Sequence, residues 1–206
     1  TAISNCITIT SNSRVWTGLV NNDWHTPGNW SGNLVPTNAN CVVIPNVVPR
    51  PVISADAVGY NLTVLNGGIL TLNPNHTLTL TDAVSVQPTG QFLIMDSASL
   101  VQINNTPNTG NINMERITQP MYRFDFTYWG SPLTLASNFT LGGVGGLSPN
   151  TLSDKYFSWN PSIANSFGGW VYETAATVMD PRKGYIVRAP QSFSTSPLVK
   201  TSYTAN

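Results

Sequence analysis

Between residues 61 and 103 a short β-prone run returns at roughly every eighth position, and this constrains the fold more than anything else in the chain. The runs are Asn61-Leu62-Thr63-Val64, Ile69-Leu70-Thr71-Leu72, Thr77-Leu78-Thr79-Leu80, Ala83-Val84-Ser85-Val86, Gln91-Phe92-Leu93-Ile94 and Ser99-Leu100-Val101-Gln102-Ile103. Turn signals separate them, among them Asn66-Gly67-Gly68, Asn73-Pro74-Asn75 and Pro88-Thr89-Gly90. Leu and Val alternate with Thr and Ser, which puts apolar side chains on one face of each strand and hydroxyls on the other. Two architectures satisfy the pattern: a short β-solenoid of stacked coils, or a meander or β-sandwich-like region with short hairpins. Regular intervals and few Asn-Gly or Asp-Gly hairpin turns favour the solenoid. Helical periodicity is almost absent, so the fold class is all-β.

The flanks differ from the repeats. Residues 1–50 read as an opening strand (Cys6 to Thr10), a tryptophan-rich segment and a strand ending at Pro45, with Pro49 and Pro51 interrupting the chain beyond it. Trp16, Trp24 and Trp30 fall among Asn, Gly and Pro. Tryptophan is costly to leave in water and needs a partner for its N–H when buried, so the segment is expected to form a packed N-terminal cap. The competing reading is an aromatic platform for sugars. Residues 104–113 form a polar boundary, after which aromatics dominate. The domains are therefore drawn as 1–110, cap plus repeats, and 111–206, a compact antiparallel β-domain.

Nine basic and nine acidic side chains balance, and only 9% of residues are charged, against about 25% in typical proteins. That argues against nucleic acid as a partner. No apolar stretch reaches the ~18 residues of a membrane span, so no membrane insertion is expected. The chain begins at Thr1 without a leader, which reads as a removed signal or a segment of a longer protein. Cys6 and Cys41 flank the tryptophans. An even count in a chain suited to export predicts a disulfide, closing a loop of about 35 residues and stabilising by about 3–4 kcal/mol.

Trp16-Thr17-Gly18, Asp23-Trp24, Asn29-Trp30 and Val35-Pro36, leading to Val42-Val43-Ile44-Pro45, resemble a segment of large surface proteins of Flavobacteria and other Bacteroidota. In the second half, Met114-Glu115-Arg116, Tyr128-Trp129-Gly130-Ser131-Pro132, Asp154-Lys155-Tyr156, Ser158-Trp159 and Lys183-Gly184-Tyr185 resemble a module found there upstream of a C-terminal sorting domain. The two stretches cover most of the chain. The resemblance implies export by the type IX secretion machinery, a secreted or cell-surface location, and a role in adhesion, gliding or matrix. It implies no enzymatic activity. Cys6 and Cys41 are not part of the pattern, and no sorting domain is present.

Groups that could carry catalysis are scarce. His25 and His76 have no His or Cys partner at metal-ligand spacing, so neither a metal nor a cofactor is expected. Asp56, Asp82 and Asp96 stand singly between strands, where Asp usually shapes a turn. Arg123 and Asp125, two apart on an expected strand, read as a structural salt bridge. Three aromatic groups could stack sugars: Trp16/Trp24/Trp30, Tyr128/Trp129 and Trp159/Trp170/Tyr172, with Trp24, Trp30, Tyr128 and Trp129 the leading candidates. Core packing is the default for each. Asp96-Ser97-Ala98 resembles the Asp-Ser/Thr-small motif that Bacteroidota O-glycosylate, with Ser97 as acceptor.

The expected function is a non-enzymatic structural or adhesive segment, an adhesin stalk or fibre element whose partners are surface glycans or copies of itself. The alternatives are a carbohydrate-binding module and a non-catalytic part of a polysaccharide-degrading enzyme.

Overall fold

The structure is a computed structural model that describes residues 12–131, 133, 135, 138–163 and 168–193. It divides into two compact units, Thr1–Arg116 and Ile117–Asn206.

The first unit is a parallel β-solenoid. Its strands are β1 (Ser13–Val15), β2 (Cys41–Ile44), β3 (Val52–Ile53), β4 (Ala57–Gly59), β5 (Asn61–Val64), β6 (Ile69–Leu72), β7 (Thr77–Leu80), β8 (Val84–Val86), β9 (Gln91–Ile94), β10 (Ser99–Gln102) and β11 (Asn113–Met114). They fall on three faces, ordered β1-β2-β5-β8, β3-β6-β9-β11 and β4-β7-β10. The recurring interval of the sequence is therefore the step from one face to the next, and three steps complete a coil. Leu62 pairs with Val84, Leu70 with Phe92 and Leu78 with Leu100, so the coil closes with one common repeat length on all three faces. The preceding coil is shorter, pairing Val42 with Leu62, Val52 with Thr71 and Ala57 with Leu78.

This register follows from the period-two alternation. Each coil turns the same apolar positions inward, and a one-residue slip would carry them to the outside. Val42, Leu62 and Val84 form one buried stack, and Ile53, Leu72 and Ile94 another. Hydroxyls at Thr71, Thr79 and Ser85 alternate with them and are only half-buried. Corners are held by backbone chemistry. At Gly68 an added Cβ would lie 2.4 Å from the Ile44 carbonyl oxygen, and at Gly90 2.9 Å from those of Val64 and Leu65. Only a residue without a side chain lets successive coils approach so closely. At another corner Asn75 and Ser97, one coil apart, both take a left-handed backbone (φ 63° and 61°).

Two of the singly placed aspartates, expected to shape their own turns, instead tie one coil to the next. Asp56 Oδ1 accepts the Thr77 N–H at 2.8 Å, and Asp82 accepts the Thr106 hydroxyl. The strand at 113–114, just beyond the polar boundary drawn at 110, pairs with β9 and belongs to this unit.

The second unit is a four-stranded antiparallel sheet. Its strands are β12 (Phe126–Trp129), β13 (Tyr156–Trp159), β14 (Trp170–Glu173) and β15 (Tyr185–Arg188), ordered β12-β15-β13-β14. One face packs Tyr156, Tyr185 and Val187 against Leu141, Leu147 and Met179. Tyr156 donates its hydroxyl to Ser148 O at 2.7 Å, and burial raises its pKa above the usual tyrosine value.

Arg123 and Asp125 precede β12 and, contrary to the salt bridge expected of them, form no ion pair. Asp125 Oδ2 accepts the Tyr122 N–H at 2.7 Å, while the Arg123 guanidinium lies over the Phe124 ring. The expected opening strand at Cys6 and the Cys6 end of the expected bridge lie outside the described residues, and no disulfide joins two described residues. Cys41 starts β2, half-buried.

Candidate functional site

The tryptophan segment is a cap and not a platform. Trp16, Trp24 and Trp30 are at most 1% exposed and share one core with the coils. Trp30 sits between the other two in edge-to-face contacts, its ring centroid 5.1 Å from Trp16 and 4.7 Å from Trp24. Trp16 donates its indole N–H to Pro49 O at 2.8 Å and Trp30 to Trp24 O at 2.7 Å. Asn29 sets the loop beneath them, its Oδ1 accepting the N–H groups of Val20 and Asn21.

The same segment pairs the first coil's open edges. β1 runs parallel to β2, and Asn22 and Trp24 exchange backbone hydrogen bonds with Val52 of β3. Two of the three faces are thereby paired at this end. No ring face of Trp24 or Trp30 is open to a sugar, which corrects their expected place among ligand-binding residues.

Exposed aromatic surface lies instead on the second unit. Directly opposed residues of an antiparallel sheet share a face, and so do residues two apart on one strand. By the register, Phe126 and Tyr128 of β12, Ile186 and Arg188 of β15, Phe157 and Trp159 of β13, and Trp170 and Tyr172 of β14 all project from the side opposite the core. Tyr128 and Tyr172 are 73% and 74% exposed, and Phe126, Trp159 and Trp170 between 41% and 47%.

Their rings touch across strands. Phe157 lies 4.8 Å from Tyr172 and 6.1 Å from Phe126, Trp159 lies 4.9 Å from Trp170, and Tyr128 lies 6.5 Å from Trp170. Interplanar angles of 40° to 73° make the surface grooved, not flat. A groove of about 240 Å³ is lined by Phe126, Phe157, Trp170 and Ile186.

Of the expected sugar-stacking residues, Tyr128 lies on this face and Trp129, one residue on, turns to the core side. Trp159, Trp170 and Tyr172 join Tyr128. Phe126, Phe157, Ile186 and Arg188 were not singled out from the sequence. The signal for them is the aromatic-x-aromatic spacing of Phe126/Tyr128, Phe157/Trp159 and Trp170/Tyr172, three strands each carrying rings at period two.

Charge is distributed asymmetrically about this sheet. Glu173, the one carboxylate within its strands, belongs to the core side, where its oxygens accept the Ser158 and Thr177 hydroxyls. Arg188, on the aromatic side, is 8% exposed and donates Nη2–H to Gln191 Oε1 at 2.6 Å. At the far turn, Arg182 donates Nε–H and Nη2–H to the two Asp180 oxygens, holding that carboxyl down to about 2.

Ser97, the expected glycan acceptor, is exposed at a corner of the first unit, and its hydroxyl donates to Asp96 Oδ2 at 2.8 Å. His25 stands 3.8 Å from Asp23, and His76 4.0 Å from Asp56. Among the described residues no three His, Cys, Asp or Glu side chains gather where they could hold a metal ion. No helix among them is long and apolar enough to cross a membrane.

No curated protein and no solved structure matches the chain. Residues 15–206 match a domain of unknown function (DUF8693), and the chain belongs to that family.

Proposed function

We propose that this chain is a non-enzymatic adhesive segment of a secreted bacterial cell-surface protein. The solenoid serves as its rigid stalk element and the aromatic face of the second unit as its contact surface. The observation that carries the reading is that face: five large aromatic side chains, each more than 40% exposed, on one side of a four-stranded sheet. Leaving so many rings in water is unfavourable, and a contiguous exposed patch of this kind marks an interaction site in folded proteins. The solenoid suits a load-bearing role because its inner strands have hydrogen-bonded neighbours on both sides. Export by the type IX machinery is supported by the motif resemblance in both halves.

The test is adhesion of beads carrying the full chain to polysaccharide-coated and bare surfaces. Retention on the coated surface, lost in a Tyr128→Ala/Trp170→Ala double variant that keeps its fold, supports the reading. Equal retention of wild type and variant sinks it.

The grooved aromatic surface also favours a carbohydrate-binding module, since an apolar C–H face of a sugar ring stacks on an indole or phenol ring. Saturable binding of a soluble glycan in calorimetry would distinguish that reading from adhesion that requires a surface. Self-association through the same face would appear as a concentration-dependent mass in solution, abolished by the double variant. Glycosylation at Ser97 and pairing of Cys6 with Cys41 belong to the same exported-protein reading. Intact-mass and thiol measurements on native material test both.

A further inference from the structure

Resting on the adhesive reading of the aromatic face, we propose that this face takes an anionic polysaccharide, one built from carboxylated (uronate) sugars. Its charge is what points there. The eight side chains that the strand register places on this face include one cation, Arg188, and no carboxylate. A second cation stands beside it: the guanidinium carbons of Arg123 and Arg188 lie 4.7 and 5.7 Å from the centroid of the same Phe124 ring. The two positive charges are therefore no more than about 10 Å apart, within one Debye length at low salt. Neither has an ion-pair partner among the described residues, and the Nε of each is buried without an acceptor.

Buried guanidinium N–H groups without acceptors are uncommon, because each loses water and gains nothing in return. Phe124 offers both cations the negative face of its ring, yet supplies no hydrogen-bond acceptor. Neither nearby acid forms an ion pair with these arginines. Asp125 Oδ2 accepts the Tyr122 N–H. Asp154, whose pKa is lowered chiefly by its hydrogen bond from Lys155, feels Arg188 only as a lesser influence. Gln191 takes one Nη2–H of Arg188. What is left is two cations without a carboxylate partner, whose buried Nε atoms lie out of a ligand's reach and whose attraction for an anion is one of charge.

The apolar half of the site adjoins this cationic half through the Phe126–Arg188 pair. Phe126 also lines the groove with Phe157, Trp170 and Ile186. A uronate chain presents both chemistries at once: C–H faces for the rings, and a carboxylate on each sugar for the guanidiniums. A neutral glycan would satisfy the rings and leave the arginines as they are. An apolar protein partner would bury two cations without compensation, which is costly.

The experiment is binding of the full chain to polygalacturonate and to its methyl-esterified form, which has the same backbone without the charge. We expect the acidic polymer to bind about tenfold more tightly near 0.05 M salt, with that advantage shrinking as salt rises. Arg123→Gln should remove most of the advantage and leave the neutral polymer's binding unchanged, and Arg188→Gln should likewise remove the advantage. Arg123 is half-buried and outside the strands, so it tests the idea even if the Arg188 variant fails to fold. Trp170→Ala should weaken both polymers. Equal binding of the two polymers, or arginine variants that bind as wild type does, overturns the anionic inference and leaves the adhesive reading standing. Binding of neither polymer also overturns it, and the bead assay then decides the adhesive reading separately.

Discussion

The indole N–H of Trp30 donates to the backbone oxygen of Trp24 at 2.7 Å, whereas the indole N–H of Trp24 itself is buried without an acceptor. Two neighbouring, fully buried tryptophans thus differ in what their polar atom contributes. Replacing Trp30 by Phe deletes a made hydrogen bond and strands the Trp24 carbonyl. Replacing Trp24 by Phe deletes a donor that had lost its water for nothing.

Trp30→Phe should therefore cost more stability than Trp24→Phe, by about 1–2 kcal/mol, although both lose the same ring volume. Urea unfolding of the two variants gives the comparison directly. Trp30→Ala, which also removes both edge-to-face contacts, should cost about 3–5 kcal/mol. Equal costs for the two Phe variants would mean that the hydrogen-bond difference carries no weight.

At the glycine corner, Gly68→Ala would drive a methyl group to 2.4 Å from the Ile44 carbonyl oxygen, backbone that cannot move without disturbing the coil. A loss of about 2–3 kcal/mol is expected. Gly32, whose Cβ would meet nothing within 4 Å, has no such clash. Its left-handed φ of 75° should limit the cost of Gly32→Asn to less than about 1 kcal/mol. Thermal melts of both variants separate close approach from backbone conformation.

Ser97 adopts a left-handed backbone that its register equivalent, Asn75, tolerates better. Ser97→Asn should raise stability by roughly 0.5 kcal/mol. A lower melting temperature for this variant would show that the Ser97–Asp96 contact outweighs the backbone preference.

Asp180 supplies a pH test. Arg182 holds its carboxyl down to about 2, below the ordinary value of 3.8. A depressed folded-state value means that the contribution is fully present above about pH 4 and is lost as pH falls toward 2. Asp180→Asn should flatten that part of the acid-stability profile and leave the profile near neutrality parallel to wild type. Carboxyl titration by NMR should place Asp180 among the most acidic side chains of the protein.

Much of the first unit was legible because its rule is local and repetitive. Alternation at Leu62/Val64, Leu70/Leu72 and Leu78/Leu80 set inside from outside, and the interval between runs set the face-to-face step. The parallel stacking of coils was harder to read, because pairing between residues a whole coil apart leaves no mark at any one position. The tryptophan cap was legible as packing, since an Asn- and Gly-rich turn region has no other use for three indoles.

The aromatic face was only half legible. Tyr128 and Trp129 look alike as neighbours in sequence, yet a strand sends them to opposite sides. Register alone decides which of them meets solvent. Arg188 gave no signal because its partner ring, Phe124, lies on a distant part of the chain and meets it only through the fold.

A coil that closes with the same repeat length on all three faces also makes the solenoid a ruler with fixed graduations. Strands in adjacent coils stand about 4.8 Å apart, so duplicating one whole coil, such as residues 62–83, lengthens the stack by that step. Every apolar stack and glycine corner would stay in alignment. Corners absorb small differences in length, as the shorter preceding coil shows, whereas a one-residue slip in the pairing of a strand would turn its apolar side chains outward. Reach thus grows in steps of one coil, without any redesign of the cap.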